Sequence, residues 1–283
     1  MGPVSEVPAD AASDVGAGVR IRNQVVVPIA FADGFETVAR VFTFDGLADG
    51  LEHLALGLGD RVEPVEPGTT DPGSTLTRLH SECLTGDVFG SRRCDCGPQL
   101  RESIERLADT GGFLLYLRQE GRGIGLYAKL DAYVLQDSGL DTYEANLALG
   151  FREDERDYTV AAQMLAALGI GRVALLSNNP DKAAQLRRLG ITVTRRVPTA
   201  VHLSDENAHY LSTKASRGAH TLDLSSDALA GDVAPFERSD RRAREHHDRH
   251  RGHTDPDGRD AVSQGVVGGV LVEGRQLLER PQP

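Results

Sequence analysis

The sequence predicts an α/β (α+β) protein, a mixed sheet core with flanking helices and a strand-rich N-terminal part. Three observations carry this. Between residues 112 and 197, short apolar runs alternate with segments of helical periodicity, and glycines stop the helices; this is the pattern of strands joined through helices. From Ile21 to Phe44 the chain reads instead as β-type runs separated by turn residues. Finally, 40% hydrophobic residues in a chain of 283 are enough for a sizeable core, in one large domain or two.

Residues 1–19, rich in Ala, Gly, Ser, Pro and Asp without periodicity, are expected to form a disordered extension. QVVVPIAF (24–31), ETVARVFTF (36–44) and HLALGLGD (53–60) predict strands. A polar loop with three prolines, 60–74, leads to LTRLHSE (76–82), a strand carrying Arg78, His80 and Glu82. Pro98 suits the first turn of a helix after Cys96; Leu100, Ile104 and Leu107 share one face, and Gly111 and Gly112 end it. FLLYL (113–117) is a continuous apolar run of the buried-strand kind, followed by RQEGRGIG (118–125) and a helix near 126–138 ended by Gly139. Val160, Met164, Leu165 and Leu168 mark a helix that stops at Gly169. RVALLS (172–177) is then a strand, NNP a loop, and ITVTR (191–195) a last strand after a helix ending at Leu189 and Gly190. A catalytic domain over 20–221 is expected, with 222–283 a mostly disordered, charged tail. The four histidines in ERSDRRAREHHDRHRGH (237–253) fit a solvated tail better than a metal site.

No run of about 18 apolar residues exists to span a bilayer, and the first twenty residues lack the basic start and apolar centre of a secretory signal. The expectation is a soluble cytoplasmic protein with no membrane partner. A net charge of −11 argues against a surface that coats nucleic acid. Local positive sites for a small anion remain compatible with it.

The stretch RLHSECLTGDVFGSRRCDCG (78–97) holds all three cysteines of the chain. Cys83, Cys94 and Cys96 stand in a C-x10-C-x-C pattern, with Gly86 and Gly90 letting the chain fold back, so three thiolates can hold a zinc ion and leave a fourth position open, as a catalytic zinc requires. Three buried small residues are the plain alternative, and His80 is the nearest candidate for a fourth ligand in a closed structural site. Three further segments carry polar chemistry. RQEGRGIG offers Arg118 and Arg122 as forked phosphate donors beside approachable backbone, or is an ordinary turn. DERD (154–157) is a charged string in which Asp157 or Thr159 can cap the following helix. In SNNPDK (177–182), Pro180 opens a helix with Lys182 in its first turn, a place that attracts anions or a capped turn.

In order these segments read R-x-HSEC-L-TGD, RCDCG-x-QL, RQEGR-x-IGL, LQD-x-G-x-DT-x-EAN, LGF-x-x-DERD, NNP-x-K and HYL-x-TKA. In that order the sequence resembles the GTP cyclohydrolase II family, from about residue 22 to 220 and most densely from 76 to 214. The resemblance implies hydrolysis of GTP to 2,5-diamino-6-(5-phospho-ribosylamino)pyrimidin-4(3H)-one, formate and diphosphate, the first step of riboflavin biosynthesis. It implies zinc on Cys83, Cys94 and Cys96, magnesium with the triphosphate, and a homodimer. It assigns Arg156 as nucleophile, Asp154 as proton acceptor and Tyr133 as the group orienting the second hydrolysis. The nucleotide contacts carry over to Arg78, Leu79, His80, Ser81, Glu82, Gln99, Glu120, Gly121, Arg122, Thr142, Ser177 and Lys182. Ser177 stands where relatives commonly have threonine, and the hydroxyl is kept. With only about twenty residues before the match, no fused dihydroxybutanone-phosphate synthase domain is expected. The same motifs permit a cyclohydrolase of a specialised pathway or one that stops at the formamide; a catalytically silent zinc and nucleotide module would be expected to have lost Arg156, Tyr133 or a cysteine.

Overall fold

The computed structural model describes residues 18–152, 154–200 and 202. Most of the expected N-terminal extension and the whole 222–283 tail lie outside the described residues. Among these residues, seven strands form one mixed sheet: β1 (Arg20–Ala30), β2 (Glu36–Asp45), β3 (Leu54–Leu58), β4 (Thr75–Ser81), β5 (Gly112–Leu117), β6 (Arg172–Leu176) and β7 (Thr192–Val197). Their order across the sheet is β1-β2-β3-β5-β4-β6-β7. The β1–β2, β2–β3 and β3–β5 pairs are antiparallel, and β5–β4, β4–β6 and β6–β7 are parallel. The strand-rich start is thus a meander laid against the parallel half. Pro28, which has no N–H to donate, sits in the edge strand β1.

Among the described residues, six α-helices accompany the sheet: α1 (Leu84–Asp87), α2 (Cys96–Thr110), α3 (Leu126–Asp137), α4 (Thr142–Ala148), α5 (Thr159–Ala167) and α6 (Pro180–Arg188). Alternation along each parallel strand decides which helix covers which face. Leu76, Leu114, Ala174 and Leu176 pack with Ile104 and Leu107 of α2. Leu79, Leu115, Leu117, Val173 and Leu175 pack with Met164 and Leu165 of α5 and with Ala183 and Leu186 of α6. Both faces of these strands are covered, which is why FLLYL reads as unbroken apolar sequence. Each fully buried leucine here contributes about 1.5–3 kcal/mol of burial free energy. Helix α5 is buried at six successive positions from Val160 to Leu165, so its sequence is apolar nearly all round, and the buried Gln163 accepts from Ala48 N at 3.0 Å.

The strand order fixes where a ligand can sit. From β4 the chain passes through α2 to β5 on one side, then through α5 to β6 on the other side of β4. In open α/β sheets the crevice beyond the carboxyl ends of strands at such a reversal is the natural binding place. Ser81, Leu117 and Leu176 are those carboxyl ends, and the segments that follow them are the cysteine loop, RQEGRGIG and SNNPDK.

Candidate functional site: a cysteine cluster in a cationic cavity

Cys83 follows directly on β4 and precedes α1, while Cys96 opens α2. The fold-back that joins them rests on two glycines used differently. Gly90 has φ +65°, a turn conformation that glycine adopts without cost. Gly86 is a matter of space, since a Cβ there would lie 2.8 Å from Cys94 Sγ and 3.1 Å from Cys83 Sγ. The three cysteines are free, with sulfurs all within 4.8 Å of one another and Cys83 Sγ 3.7 Å from Cys94 Sγ. Three soft donors converging on a cradle that a single Cβ would fill fit a thiophilic divalent ion. Hydrogen bonds from the Cys94 and Cys96 thiols, reinforced by Lys129, hold Cys83 far below the ordinary thiol range. Holding its proton for Cys83, Cys94 is pushed up to about 11.

His80 does not join this cluster. Its Nε2 donates to the Asp87 carboxylate at 3.1 Å, and only the three cysteines group as metal donors among the described residues. Asp87 also accepts from Cys83 N at 3.0 Å and from the Tyr116 hydroxyl at 2.8 Å, and the His80 and Tyr116 rings stack with centroids 5.6 Å apart. Burial lowers the His80 pKa against the pull of Asp87, so the ring is neutral near pH 7. Asp87 therefore anchors the cysteine loop to β4 and β5.

Around the cluster lies a cavity with about 1090 Å³ of empty space, open to solvent and of nucleotide size. Its walls hold five cations, Arg78, Arg122, Lys129, Arg156 and Lys182, against two carboxylates, Glu82 and Glu120. An acidic protein thus presents a locally positive chamber. Arg78 is buried, donating to Leu176 O at 3.1 Å and to Gln99 Oε1 at 2.9 Å, and the Gln99 amide in turn donates to Asp95 between two cysteines. Lys182, in the first turn of α6, reaches back to Leu79 O at 2.7 Å. Asn179 caps that helix by accepting from Asp181 N at 2.8 Å, and Ser177 Oγ accepts from Asn179 N at 3.0 Å.

Within RQEGRGIG, Glu120–Gly123 make a tight turn whose two middle residues are left-handed. Gly121 and Arg122 both have φ +61°, strained for the arginine, whose guanidinium lies 4.7 Å from the Tyr143 ring centroid. Glu120 is fixed through both oxygens, accepting from Leu84 N at 2.7 Å and from Lys129 Nζ at 2.9 Å. Glu82 pairs with Arg118 Nε at 2.8 Å, and Arg118 N donates to His53 Nδ1 at 3.0 Å.

Arg156 faces the same cavity, its Nε donating to Asp154 Oδ1 at 2.8 Å and its terminal nitrogen to Asp154 Oδ2. Burial raises the Asp154 pKa, but the Arg156 guanidinium outweighs it and holds the carboxyl below its ordinary value. Thr159 N donates to Asp157 Oδ1 at 2.7 Å, but the N-cap position of α5 is Tyr158, one residue after Asp157 and one before Thr159. Tyr133 on α3 lines the cavity beside the cysteines, with the Arg93 guanidinium 4.3 Å from its ring centroid and Arg93 in turn paired to Asp137. Burial raises its hydroxyl pKa to about 12.

The structure brings all but two of the residues assigned by the family resemblance into the lining of one cavity, while Arg118, the other arginine of RQEGRGIG, lies outside it and pairs with Glu82. Leu79 has its side chain in the core and offers only its carbonyl to Lys182, while Asp154 is not in the lining and accepts from Arg156, which is. Sequence reasoning missed Lys129, Asp87, Asn178 and Thr199. Asn178 and Thr199 bond to each other, through Nδ2 to Oγ1 at 2.9 Å, and close the cavity wall after β7. Asp87 stands inside the quoted TGD motif, so the motif carried a signal for it; nothing in the sequence marked Lys129.

Comparison with known proteins gives consistent relatives. The family described as GTP cyclohydrolase II matches residues 23–198. GTP cyclohydrolase-2 of Vibrio cholerae is 50% identical over 186 residues, 66% of this chain and 90% of that protein. GTP cyclohydrolase-2 of Aliivibrio fischeri is 49% identical over 208 residues, 74% of this chain and 98% of that protein. Riboflavin biosynthesis protein RibBA of Bacillus velezensis is 50% identical over 184 residues, 65% of this chain and 44% of the relative.

Proposed function

The chain belongs to the GTP cyclohydrolase II family, and from that premise we propose that it hydrolyses GTP to the 2,5-diamino-pyrimidinone nucleotide, formate and diphosphate, opening riboflavin biosynthesis. The observation that carries this is the convergence of three free cysteine sulfurs and the Arg156–Asp154 pair on one cationic cavity. Arg78, Arg122, Arg156 and Lys182 suit a triphosphate, which enters with magnesium that keeps most of its own waters.

Cys83, Cys94 and Cys96 would hold zinc, which when bound supplies Lewis acidity for hydrolytic opening of the guanine imidazole ring at C8 and loss of formate. The remaining steps fall to the chain's own groups. Arg156 attacks the α-phosphorus: an N–P bond forms, the bond from phosphorus to the bridging oxygen breaks, and diphosphate leaves. The guanidinium proton released in that step passes to Asp154, whose carboxylate already spans the side of the guanidinium and fixes its plane. Water then cleaves the N–P bond. Tyr133 orients the opened formamide for its hydrolysis. Arg78 and Lys182, buried and held to main-chain carbonyls, position the nucleotide with little entropy left to lose.

The homodimer expected for the family has a supporting feature in α3 and α4, where Tyr127, Leu130, Val134 and Leu147 are exposed apolar side chains. The test of the function is turnover of GTP with magnesium and zinc-loaded protein, following formate, diphosphate and pyrimidine together. One of each per GTP is expected, and release of neither product would refute the reading.

A further inference from the structure

The cavity contains one cation to which the phosphate chemistry gives no task. Lys129, on α3, is 9% exposed, and its Nζ donates to Cys83 Sγ at 3.1 Å, Thr85 Oγ1 at 2.9 Å and Glu120 Oε1 at 2.9 Å. An ammonium has three N–H donors, and all three point at protein acceptors. Binding a substrate phosphate would require giving one of them up. Glu120, meanwhile, accepts from Leu84 N at 2.7 Å, the amide next to Cys83. The result is a closed ring from the Cys83 sulfur through Lys129 and Glu120 back to the main chain beside Cys83.

We propose that Lys129 is a positioning residue for the three-cysteine metal site, fixing the direction of the Cys83 sulfur and drawing charge from it through an N–H to S hydrogen bond. Groups in this relation to a metal ligand orient it and tune the ion that it holds. Weakened donation from one thiolate leaves the bound ion more electron-poor, which favours hydrolytic chemistry in the same cavity. The role rests on the metal reading of the cysteine cluster given above.

The test compares native protein with Lys129→Met by zinc affinity, measured against a competing chelator, and by the sulfur-to-cobalt charge-transfer band of cobalt-loaded protein. Zinc affinity should fall about 10- to 100-fold in the variant. Relieved of its hydrogen bond, the Cys83 sulfur donates more strongly, so the cobalt band moves to lower energy. With metal saturating, kcat should fall while KM for GTP stays within about threefold, as expected for a group that does not bind substrate. Native zinc affinity with an unmoved band in Lys129→Met would overturn the proposal. So would a raised KM with unchanged metal properties, which would make Lys129 a substrate ligand. Should Lys129→Met fail to fold, Lys129→Gln, neutral and one bond shorter, likewise removes the charged donor from the sulfur; its band should move the same way, and an unmoved band overturns the proposal equally. Native protein with no cobalt–thiolate band at all would overturn the metal reading, and this role with it.

Discussion

Removing the Asp87 carboxylate tests how the cysteine loop is held. Its side chain is 3% exposed and accepts from three donors, His80 Nε2, Cys83 N and the Tyr116 hydroxyl. Asp87→Ala leaves all three without an acceptor. At about 1–3 kcal/mol for each buried group left unsatisfied, simple addition gives about 3–9 kcal/mol. Water entering the space of the lost carboxylate relieves part of this, so a loss of about 3–5 kcal/mol is expected, a large fraction of the 5–15 kcal/mol typical of a folded domain. Asp87→Asn keeps the volume but turns one acceptor oxygen into a donor that meets another donor, and should cost about 1.5–3 kcal/mol. Urea unfolding measures both, read as a shift in midpoint at constant slope. Metal content should fall in Asp87→Asn before the fold is lost, because Cys83 N is one of the three donors. An Asp87→Ala midpoint within about 0.5 kcal/mol of native would refute the reasoning, since the carboxylate could not then be the shared acceptor.

Gly86→Ala should fold yet lose at least about tenfold in metal affinity, because its Cβ would stand 2.8 Å from Cys94 Sγ. Gly90→Ala, with nothing within 4 Å of its Cβ, should bind metal normally at a cost of about 1–2 kcal/mol for its positive φ; metal stoichiometry and melting separate the two. Burial raises the Glu102 pKa, but hydrogen bonds from His202, Ala200 N and Arg106 outweigh it and hold the carboxyl below its ordinary value. A depressed carboxyl contributes stability in full above the ordinary glutamate value of about 4.3, and that contribution disappears as pH falls through the lowered folded value. Below about pH 4.3 the native protein should therefore lose stability more steeply than Glu102→Gln; parallel stability curves would contradict this. Tyr133→Phe should accumulate the formamido product, seen by mass, and unchanged formate per GTP would count against the assigned role.

The parallel half of the fold was legible because its strands are covered on both faces. FLLYL and RVALLS are continuous apolar runs, and the helices between them end at glycines that adopt positive φ, such as Gly169 at +72°. Two helices were not read from the pattern. Helix α1 is four residues long and has no face to show a period. Helix α4 spans seven residues and announces itself only through its capping box, in which Asp141 accepts from Glu144 N at 2.9 Å and Glu144 accepts from Asp141 N at 3.0 Å. That D-x-x-E signal lies in LQD-x-G-x-DT-x-EAN, inside a stretch that carries the family resemblance.

The site divides in the same way. The cysteine segment, the glycine-arginine loop and the helix opened by Pro180 each follow a strand in the sequence; that they share one end of the sheet comes from the parallel pairing of β4, β5 and β6. Burial of charge was not legible. Lys129 lies on a helix whose Tyr127 and Val134 are exposed, and nothing in LYAKLDAYVLQD shows that this lysine turns inward to a sulfur 46 positions earlier in the chain. Asp87 looked like one more polar loop residue until His80 and Tyr116, on neighbouring strands β4 and β5, were seen to share it.

The central claim is that two chemistries sit on two residue sets in one cavity, ring opening at the cysteines and phosphate cleavage at Arg156 and Asp154. The most direct measurement is formate and diphosphate release from GTP by Cys94→Ser protein. Loss of formate with continued release of diphosphate is the predicted result. Formate release by the metal-free variant, or loss of both products from protein that still binds GTP, would contradict it.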